Sequence, residues 1–376
     1  MFVTNLQLVD FRSYENVDIE LPPGVSVFVG SNGKGKTNLL EALVFLARLD
    51  SHRVGTETPL IRFGADKAVI RARIRAGVND SRQLLAELEL LPGKANKASL
   101  NRTPLRRARD ILGSLLIVLF APEDLHIVKG DPAQRRNFID DLSSMRLPRI
   151  RAIRSDYEKV LRQRSALLKS LISPQRMSGE AAATLEVWNE SLARLGSELA
   201  AARLATLSDL LPFLQNAYSQ IAQGGVMVNA EYKSHLENPP AEAQALALAY
   251  LAQIEQRLPA EIARGVSLVG PHRDDLEFSI GDLPVRGYAS HGESWSFACA
   301  LRIAAFNLLR QDGLEPVLLL DDVFAELDET RREHLVSCAL QAEQVLITAA
   351  VKHDVPTSLT GKFFRVDNQS IWPDSE

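Results

Sequence analysis

"VFVGSNGKGKTNLLEALVFL", Val27 to Leu46, decides the fold. An apolar run ends at Gly30 and a glycine-rich turn follows. From Lys36 to Arg48 apolar residues recur at Leu39, Leu40, Leu43, Val44 and Ala47, the spacing of one helix face. The turn, Gly30-Ser31-Asn32-Gly33-Lys34-Gly35-Lys36-Thr37, fits G-x-x-x-x-G-K-[ST] at every fixed position and has the strand before and helix after that a phosphate loop needs. Its glycines let successive backbone N–H groups turn toward phosphate oxygens, and the helix N-terminus adds partial positive charge. Lys36 is expected to reach the β- and γ-phosphates and Thr37 to ligate Mg²⁺ through its hydroxyl. A chance glycine turn would lack this context. Such loops serve transporters, kinases, switches and DNA machines alike, so the use of the nucleotide has to be read elsewhere.

The second acidic element is "PVLLLDDVFAELD", Pro316 to Asp328. An apolar strand ends in two aspartates. Asp321, at its carboxyl end, suits Mg²⁺, and Asp322 is then placed to polarise an attacking water, because hydrolysis chiefly needs water positioned and charge stabilised. Alone, a strand ending in a solvated acidic turn reads equally well; beside the phosphate loop, each motif supplies what the other lacks. About 280 residues separate Lys36 from Asp321. A compact nucleoside kinase or small GTPase closes its site within far fewer, so the core is split by a large insertion.

The chain has 376 residues, of which 46% are apolar and 24% charged, the proportions of an ordinary soluble protein of two or three domain-sized units. Cys299 and Cys338 form no CxxC pair and sit in apolar contexts, which fits two buried thiols in a reduced, cytoplasmic protein. MFVTNLQLVDF lacks a basic region followed by a long apolar run, and no apolar stretch reaches the length of a membrane span, so neither export nor a membrane partner is expected. Net charge is −4, which argues against general polyanion binding. Asn101 to Arg176, however, holds 16 Lys and Arg against 8 Asp and Glu, a local +8 on a body carrying −12. That suits a localised contact with a phosphate backbone, and equally suits solvated helix faces.

Along the chain, Phe2–Leu8, Val17–Leu21 and Val25–Val29 read as strands. Ile70, Ala72 and Ile74, then Ala86, Leu88 and Leu90, alternate with charged residues, and Pro92-Gly93 turns the chain: an antiparallel meander. Leu115–Phe120 is a further buried strand. Ile150, Ile153, Tyr157, Val160, Leu167 and Leu171 keep a helical rhythm with a gap at Arg164; Leu185, Trp188, Leu192, Leu195, Leu199 and Ala202 keep it unbroken. Joined by SPQRMSGE (Ser173–Glu180), these suggest an antiparallel helix pair, either a coiled-coil stub of a few heptads or an ordinary helical subdomain. Ala241–Arg257 resumes helix after Pro239-Pro240. Leu276, Phe278 and Ile280 alternate, and Pro316–Leu320 and Gln344–Thr348 are apolar strands. The expected division is 1–130, the first part of the core; 131–262, a helical lobe; and 263–376, the second part of the core.

Between the two acidic and glycine motifs lies "GYASHGESWSFACALRIAAF", Gly287 to Phe306. Ser290-His291-Gly292-Glu293 heads a helix carrying Phe297, Leu301, Ala304 and Ala305. A serine with Glu three residues on is a capping box. In this order along the chain it also resembles the S-x-G-[QE] signature of ABC-type ATPases. There the serine, the glycine N–H groups and the helix N-terminus bind the γ-phosphate of ATP held by a second subunit. With "LVDFRSYEN" (Leu8–Asn16), Asn38, "SHR" (Ser51–Arg53), "FAPEDLHIVKGDPAQRRNFID" (Phe120–Asp140) and "GPHRDDLEF" (Gly270–Phe278), the chain resembles, over nearly its whole length, the RecF family of bacterial replication and repair proteins, relatives of the SMC and Rad50 ATPases. The phosphate loop and paired aspartates are shared by many ATPases; "PEDLHIVKGDPAQRRNFID" and "GPHRDD" are much more specific.

The resemblance implies an α/β fold: an ABC-type P-loop ATPase head, with a mixed β core and antiparallel meander, plus a mostly helical second lobe with a short antiparallel helix pair. It implies a slow, DNA-stimulated ATPase using ATP and Mg²⁺, which dimerises in the ATP state on double-stranded DNA near gaps or single-strand junctions. It implies partnership with RecR and RecO in loading recombinase. Catalytic roles would fall to Asp322, Lys36 and Ser290. Nucleotide contacts would come from Gly30 through Asn38, Arg12, Ser290, Gly292 and Asp328, and metal contacts from Thr37, Asp321 and Glu123. For DNA, Arg106, Arg107, Arg109, Lys129, Arg135 and Arg136 are the first candidates, with Arg102, Arg149, Arg151 and Arg154 behind them; such contacts position a duplex without reading its sequence. Arg135 and Arg136 stand out because they open a helix after a Gly-Asp-Pro turn. The family's signature usually carries a small residue in place of His291 and Gln in place of Glu293. Where relatives have a histidine after the last core strand, this chain has Thr348, Ala349 and Ala350, with His353 further on, so no switch histidine is assigned.

Other classes fit less well. A transporter ATPase subunit needs only a short helical insertion between loop and signature, whereas about 250 residues intervene here. An SMC- or Rad50-like clamp needs long heptad arms.

Overall fold

A computed structural model describes residues 1–171, 179–222, 225–240, 242–325, 327–367 and 369–374. In chain order the elements are β1 (Phe2–Phe11), β2 (Tyr14–Glu20), β3 (Gly24–Val29), α1 (Lys36–Arg48), β4 (Ala68–Gly77), β5 (Asp80–Leu90), β6 (Lys97–Leu100), β7 (Thr103–Pro104) and β8 (Ile117–Phe120). Then come α2 (Leu125–Lys129), α3 (Pro132–Arg146), α4 (Pro148–Ser170), α5 (Gly179–Ala222), β9 (Val228–Lys233), α6 (Ala243–Arg264), β10 (Asp275–Ile280), β11 (Leu283–Pro284) and α7 (Val285–Tyr288). The chain closes with α8 (His291–Gln311), β12 (Val317–Asp321), α9 (Glu329–Ala339), β13 (Gln344–Ala349), β14 (Gly361–Asp367) and β15 (Ser370–Pro373).

The chain forms two compact units. The first comprises Met1–Leu125, Ala217–Gln223 and Trp295–Glu376; the second, His126–Asn216 and Gly224–Ser294. Residues 263–294, expected to begin the return to the core, belong to the second unit, because β10 pairs antiparallel with β9 along its whole length.

In the first unit two six-stranded sheets share one core. The antiparallel sheet runs β2-β1-β4-β5-β6-β7; the alternation read in β4 and β5 puts Ile70, Ala72, Ile74, Ala86, Leu88 and Leu90 inside. The other sheet runs β15-β14-β3-β13-β12-β8, with all neighbours parallel except the β15 edge. Parallel strands covered on both faces read as continuous apolar runs, as Val317 to Leu320 and Val345 to Ile347 do. Leu39, Leu40, Leu43 and Val44 of α1 join the apolar core to which both sheets contribute. The phosphate loop thus leaves β3 at the carboxyl ends of three adjacent parallel strands, the usual place for a ligand in such a sheet. The strands β14 and β15 were not expected from the sequence.

In the second unit α4 and α5 run antiparallel. Tyr157 packs beside Gly196, Arg164 bonds Asn189, and Leu168 and Leu171 cluster with Leu185. Of the expected linker Ser173–Glu180, residues 173–178 lie outside the described residues. The second helix runs well past Ala202, to Ala222, through Pro212. The gap in the rhythm of α4 has a partner: buried Arg164 donates to the buried Glu261 of α6 at 2.5 Å, and also to Asn189 and Ser267. Among the described residues no helix is long and apolar enough to cross a membrane.

Candidate nucleotide-binding site

The loop from Gly30 to Gly35 has local reasons for its glycines. A Cβ on Gly30 would lie 2.2 Å from the Val366 carbonyl oxygen of β14. Gly33 and Gly35 have φ of +81° and +103°, open to glycine at little cost. Gly35 caps α1 and is also crowded, since its Cβ would fall 2.9 Å from Tyr14 Oη and 3.0 Å from Ser13 Oγ. Tyr14, buried at the start of β2, donates to the Gly35 carbonyl at 2.9 Å, and Asn38 Nδ2 donates to Ser13 Oγ at 2.9 Å. Ser13 and Tyr14 therefore brace the loop's exit. Sequence reasoning quoted their stretch without assigning them this work. Lys34 pairs with Asp367 at 2.8 Å. Ser31, Asn32 and Gly33 are exposed.

Lys36 turns its side chain back into the loop. Its Nζ lies 3.4 Å from the Ser31 carbonyl, 3.3 Å from Asn32 Oδ1 and 3.8 Å from Asp322 Oδ2, and the residue is only 3% exposed. Thr37 Oγ1 donates to Asp321 Oδ1 at 3.0 Å, across 284 residues of chain. The Thr348 hydroxyl also donates to Asp321 Oδ1, at 2.6 Å, and accepts from the Asp322 N–H at 2.9 Å. Asp321 is buried, and burial pushes its carboxyl up to about 6; the hydroxyls of Thr348 and Thr37 pull the other way, while the charges of Asp322 and Glu123 add to the rise. Glu123, in the turn after β8, has Oε2 buried without a hydrogen-bond partner. Among the described residues no three His, Cys, Asp or Glu side chains are grouped to hold a metal ion by themselves.

Arg12 and Asp328 have other engagements. Arg12 grips Glu41 of α1 with Nε at 2.7 Å and Nη2 at 2.5 Å, and its Nη1 donates to the Pro59 carbonyl. Ser51 and Arg53, of the "SHR" stretch, reach the same carboxylate at 2.6 and 3.4 Å, and Arg53 also donates to Asn38 Oδ1 at 3.1 Å. Asp328 caps α9 by accepting from the Arg331 N–H, and about half of its side chain is exposed.

Ser290, the expected signature serine, lies in the second unit. Ser290 and Glu293 form the capping box: Ser290 N–H donates to Glu293 Oε2 at 2.8 Å and Glu293 N–H to Ser290 Oγ at 3.2 Å. The Ser290 bonds hold the Glu293 carboxyl below its usual range. Ser290 and Gly292 head α8, and Ser290 is exposed.

The basic candidates divide. Arg106, Arg107 and Lys129 are exposed and Arg109 half-buried; Arg107 pairs loosely with Asp110 at 3.5 Å. Arg135 is not available for DNA: it is 3% exposed and makes a two-pronged bond to Asp275 at 2.7 and 2.8 Å. Arg136 is half-buried and donates to the Asp274 carbonyl. Arg154 serves Asp141, Glu158 and Asn137. These arginines belong to a buried polar network that explains "GPHRDD" and "QRRNFID". Asp274 accepts from Tyr232 and from both the N–H and ring of His235, and Arg203 clamps Asp140 and the Pro271 carbonyl.

A phosphate loop bonded, through Thr37, to the acid-tipped strand β12 two places along the parallel sheet, an antiparallel sheet sharing its core, and a helix headed by Ser290-His291-Gly292-Glu293 together define an ABC-type P-loop ATPase head. The chain belongs to the RecF/RecN/SMC N-terminal domain family, whose model matches residues 2–369. It is 52% identical to the DNA replication and repair protein RecF of Cutibacterium acnes, across 99% of this chain and 98% of that one, and 51% identical to that of Streptomyces avermitilis, across 99% of each. A solved structure of the recombination mediator protein RecF with ATP, in the RecFOR pathway, superposes with a TM-score of 0.90 at 26% identity, covering all of this chain and 98% of that one. An Smc head bound to the winged-helix domain of ScpA shares the fold, with a TM-score of 0.56 at 17% identity over all of this chain and 97% of that one.

Proposed function

We propose that the chain is an ATP-dependent DNA-binding repair protein. The carrying observation is the 3.0 Å bond from Thr37 to Asp321, which joins the two distant halves of a hydrolytic site. ATP phosphates take the loop from Gly30 to Asn38, and Lys36 exchanges its Ser31 and Asn32 acceptors for phosphate oxygens. A Mg²⁺ ion would be held by Thr37 Oγ1 and Asp321, with Glu123, whose charge acts on Asp321, as a further candidate; such an ion would supply charge neutralisation on the phosphates. Asp322 orients the attacking water. Ser290 and Gly292 of a second copy close over the γ-phosphate, and Asp328 lies on the segment that crosses to that copy. ATP then joins two protomers around double-stranded DNA near gaps, and hydrolysis releases them. Arg106, Arg107, Arg109 and Lys129 meet the duplex backbone. The RecFOR context of the ATP-bound neighbour supports recombinase loading with RecR and RecO. Residues Met1–Leu125 and Trp295–Glu376 supply the two parts of the ATPase core, and most of His126–Ser294 the second, largely helical lobe.

The test is the mass of Asp322→Asn in solution with ATP, with and without gapped duplex. A trapped ATP dimer that binds duplex more tightly is expected; a species that stays monomeric with both ligands overturns the reading. Lys36→Met is expected to lose nucleotide binding. Ser290→Arg is expected to keep a fluorescent ATP analogue yet remain monomeric, and its dimerisation would sink the composite site.

A further inference from the structure

Thr348, near the carboxyl end of the last strand before the segment carrying His353, has surroundings that give it a task. It is the second-last residue of β13, which lies between β3, which feeds the phosphate loop, and β12, which ends in Asp321; Thr348 is the register partner of both Phe28 and Asp321. It is 1% exposed. One hydroxyl makes two bonds to consecutive residues: it donates to Asp321 Oδ1 at 2.6 Å and accepts from the Asp322 N–H at 2.9 Å. Asp322 has φ of +50°, a left-handed conformation that a non-glycine residue keeps only where its surroundings enforce it. That turn is what brings Asp322 Oδ2 within 3.8 Å of Lys36.

We propose that Thr348 is the positioning residue of the hydrolytic site, locking the Asp321 carboxylate with its proton and the Asp322 turn with its lone pair. The inference rests on the proposed function. In a chain without a histidine at this strand end, the hydroxyl fixes where the two carboxylates point before nucleotide arrives. Thr348 touches no reacting atom. Its removal therefore acts on the rate of hydrolysis more than on nucleotide affinity.

The experiment compares Thr348→Val, which keeps shape but loses the hydroxyl, with Thr348→Ser, which keeps the hydroxyl, and with Asp322→Asn. For ATP hydrolysis, Thr348→Val is expected to lower kcat on the order of tenfold or more, with KM changed by about twofold at most, and Thr348→Ser to restore most of the rate. In the nucleotide-free chain, hydrogen exchange at the Asp322 amide is expected to speed up about tenfold or more in Thr348→Val and stay slow in Thr348→Ser, with the melting temperature little changed. Unchanged kcat or unchanged exchange in Thr348→Val, or a serine variant as impaired as the valine one, overturns the inference alone, provided Asp322→Asn has lost hydrolysis. Wild-type turnover by Asp322→Asn overturns the proposed function and this inference with it.

Discussion

Glu41 shows what a periodicity reading passes over. The α1 pattern was read from its leucines, and the acid among them carried no signal of its own, yet Glu41 is fully buried under Arg12, Ser51 and Arg53. Those residues lie in "FRS" and "SHR", stretches quoted for their resemblance, and the hint available was a charge inside an apolar helix run with cationic residues elsewhere to meet it. Burial alone would raise the Glu41 carboxyl, but the bonds from Arg12 and Ser51, with the charges of Arg12 and Arg53, hold it below its usual range. A folded-state value below the unfolded one stabilises the protein above the unfolded pKa, and that contribution fades as pH falls through the folded one. Glu41→Gln leaves Arg12 unpaired against a buried amide. It is expected to lose about 3 kcal/mol at pH 7 by urea unfolding, with the gap to wild type narrowing below about pH 4. A constant gap from pH 7 to 3 would remove the ionic account of this cluster. By contrast, the sequence alone singles out the loop glycines, Lys36, Thr37 and Asp321 as candidates, because a phosphate loop and a strand-end acid are local patterns with fixed spacing.

At the scale of elements, regular periodicity located α1, β3, β4, β5, β12 and β13 within a few residues, whereas β14 and β15 escaped. Phe363, Phe364 and Val366 are too few, beside Lys362 and Arg365, to make an apolar run; only pairing with β3 makes them a strand. The same limit misled the reading of Arg135. A basic pair after a Gly-Asp-Pro turn looks like a phosphate contact, and only the fold reveals Asp275 opposite it. Charge counts do not distinguish a solvated arginine from a buried one. Arg164 makes the energetics testable, since both it and Glu261 are fully buried. Arg164→Leu strands a carboxylate that, among the described residues, otherwise accepts only from the Leu268 N–H, and is expected to cost about 3–5 kcal/mol. Replacing both, Arg164→Leu with Glu261→Leu, is expected to recover more than half of that loss in denaturant unfolding. If the double variant is as unstable as the single one, the loss comes from packing and from Asn189 and Ser267 rather than from the orphaned charge.

For the whole molecule, the acidic average conceals a basic stretch, and the structure has divided that stretch into cations that hold the fold and cations that face water. Arg135 and Arg154 hold the fold; Arg106, Arg107 and Lys129 face water. Under the proposed function only the second set releases counterions on meeting a duplex, and each phosphate neutralised contributes about 0.9 to the slope of log K against log salt. Arg106→Ala with Arg107→Ala is therefore expected to weaken duplex binding uniformly across sequences and to flatten that slope by about two, with unfolding unchanged. Arg135→Ala is expected to do the reverse: the slope stays, while the second unit loses stability because Asp275 is left without its two-pronged partner. Measured in the ATP-trapped Asp322→Asn background, the two variants separate a surface that binds DNA from a network that only builds the lobe. A slope that is flat in the parent protein would exclude backbone charge as the basis of binding. A slope that falls with Arg135 and not with Arg106 and Arg107 would put the duplex on a different face from the one proposed.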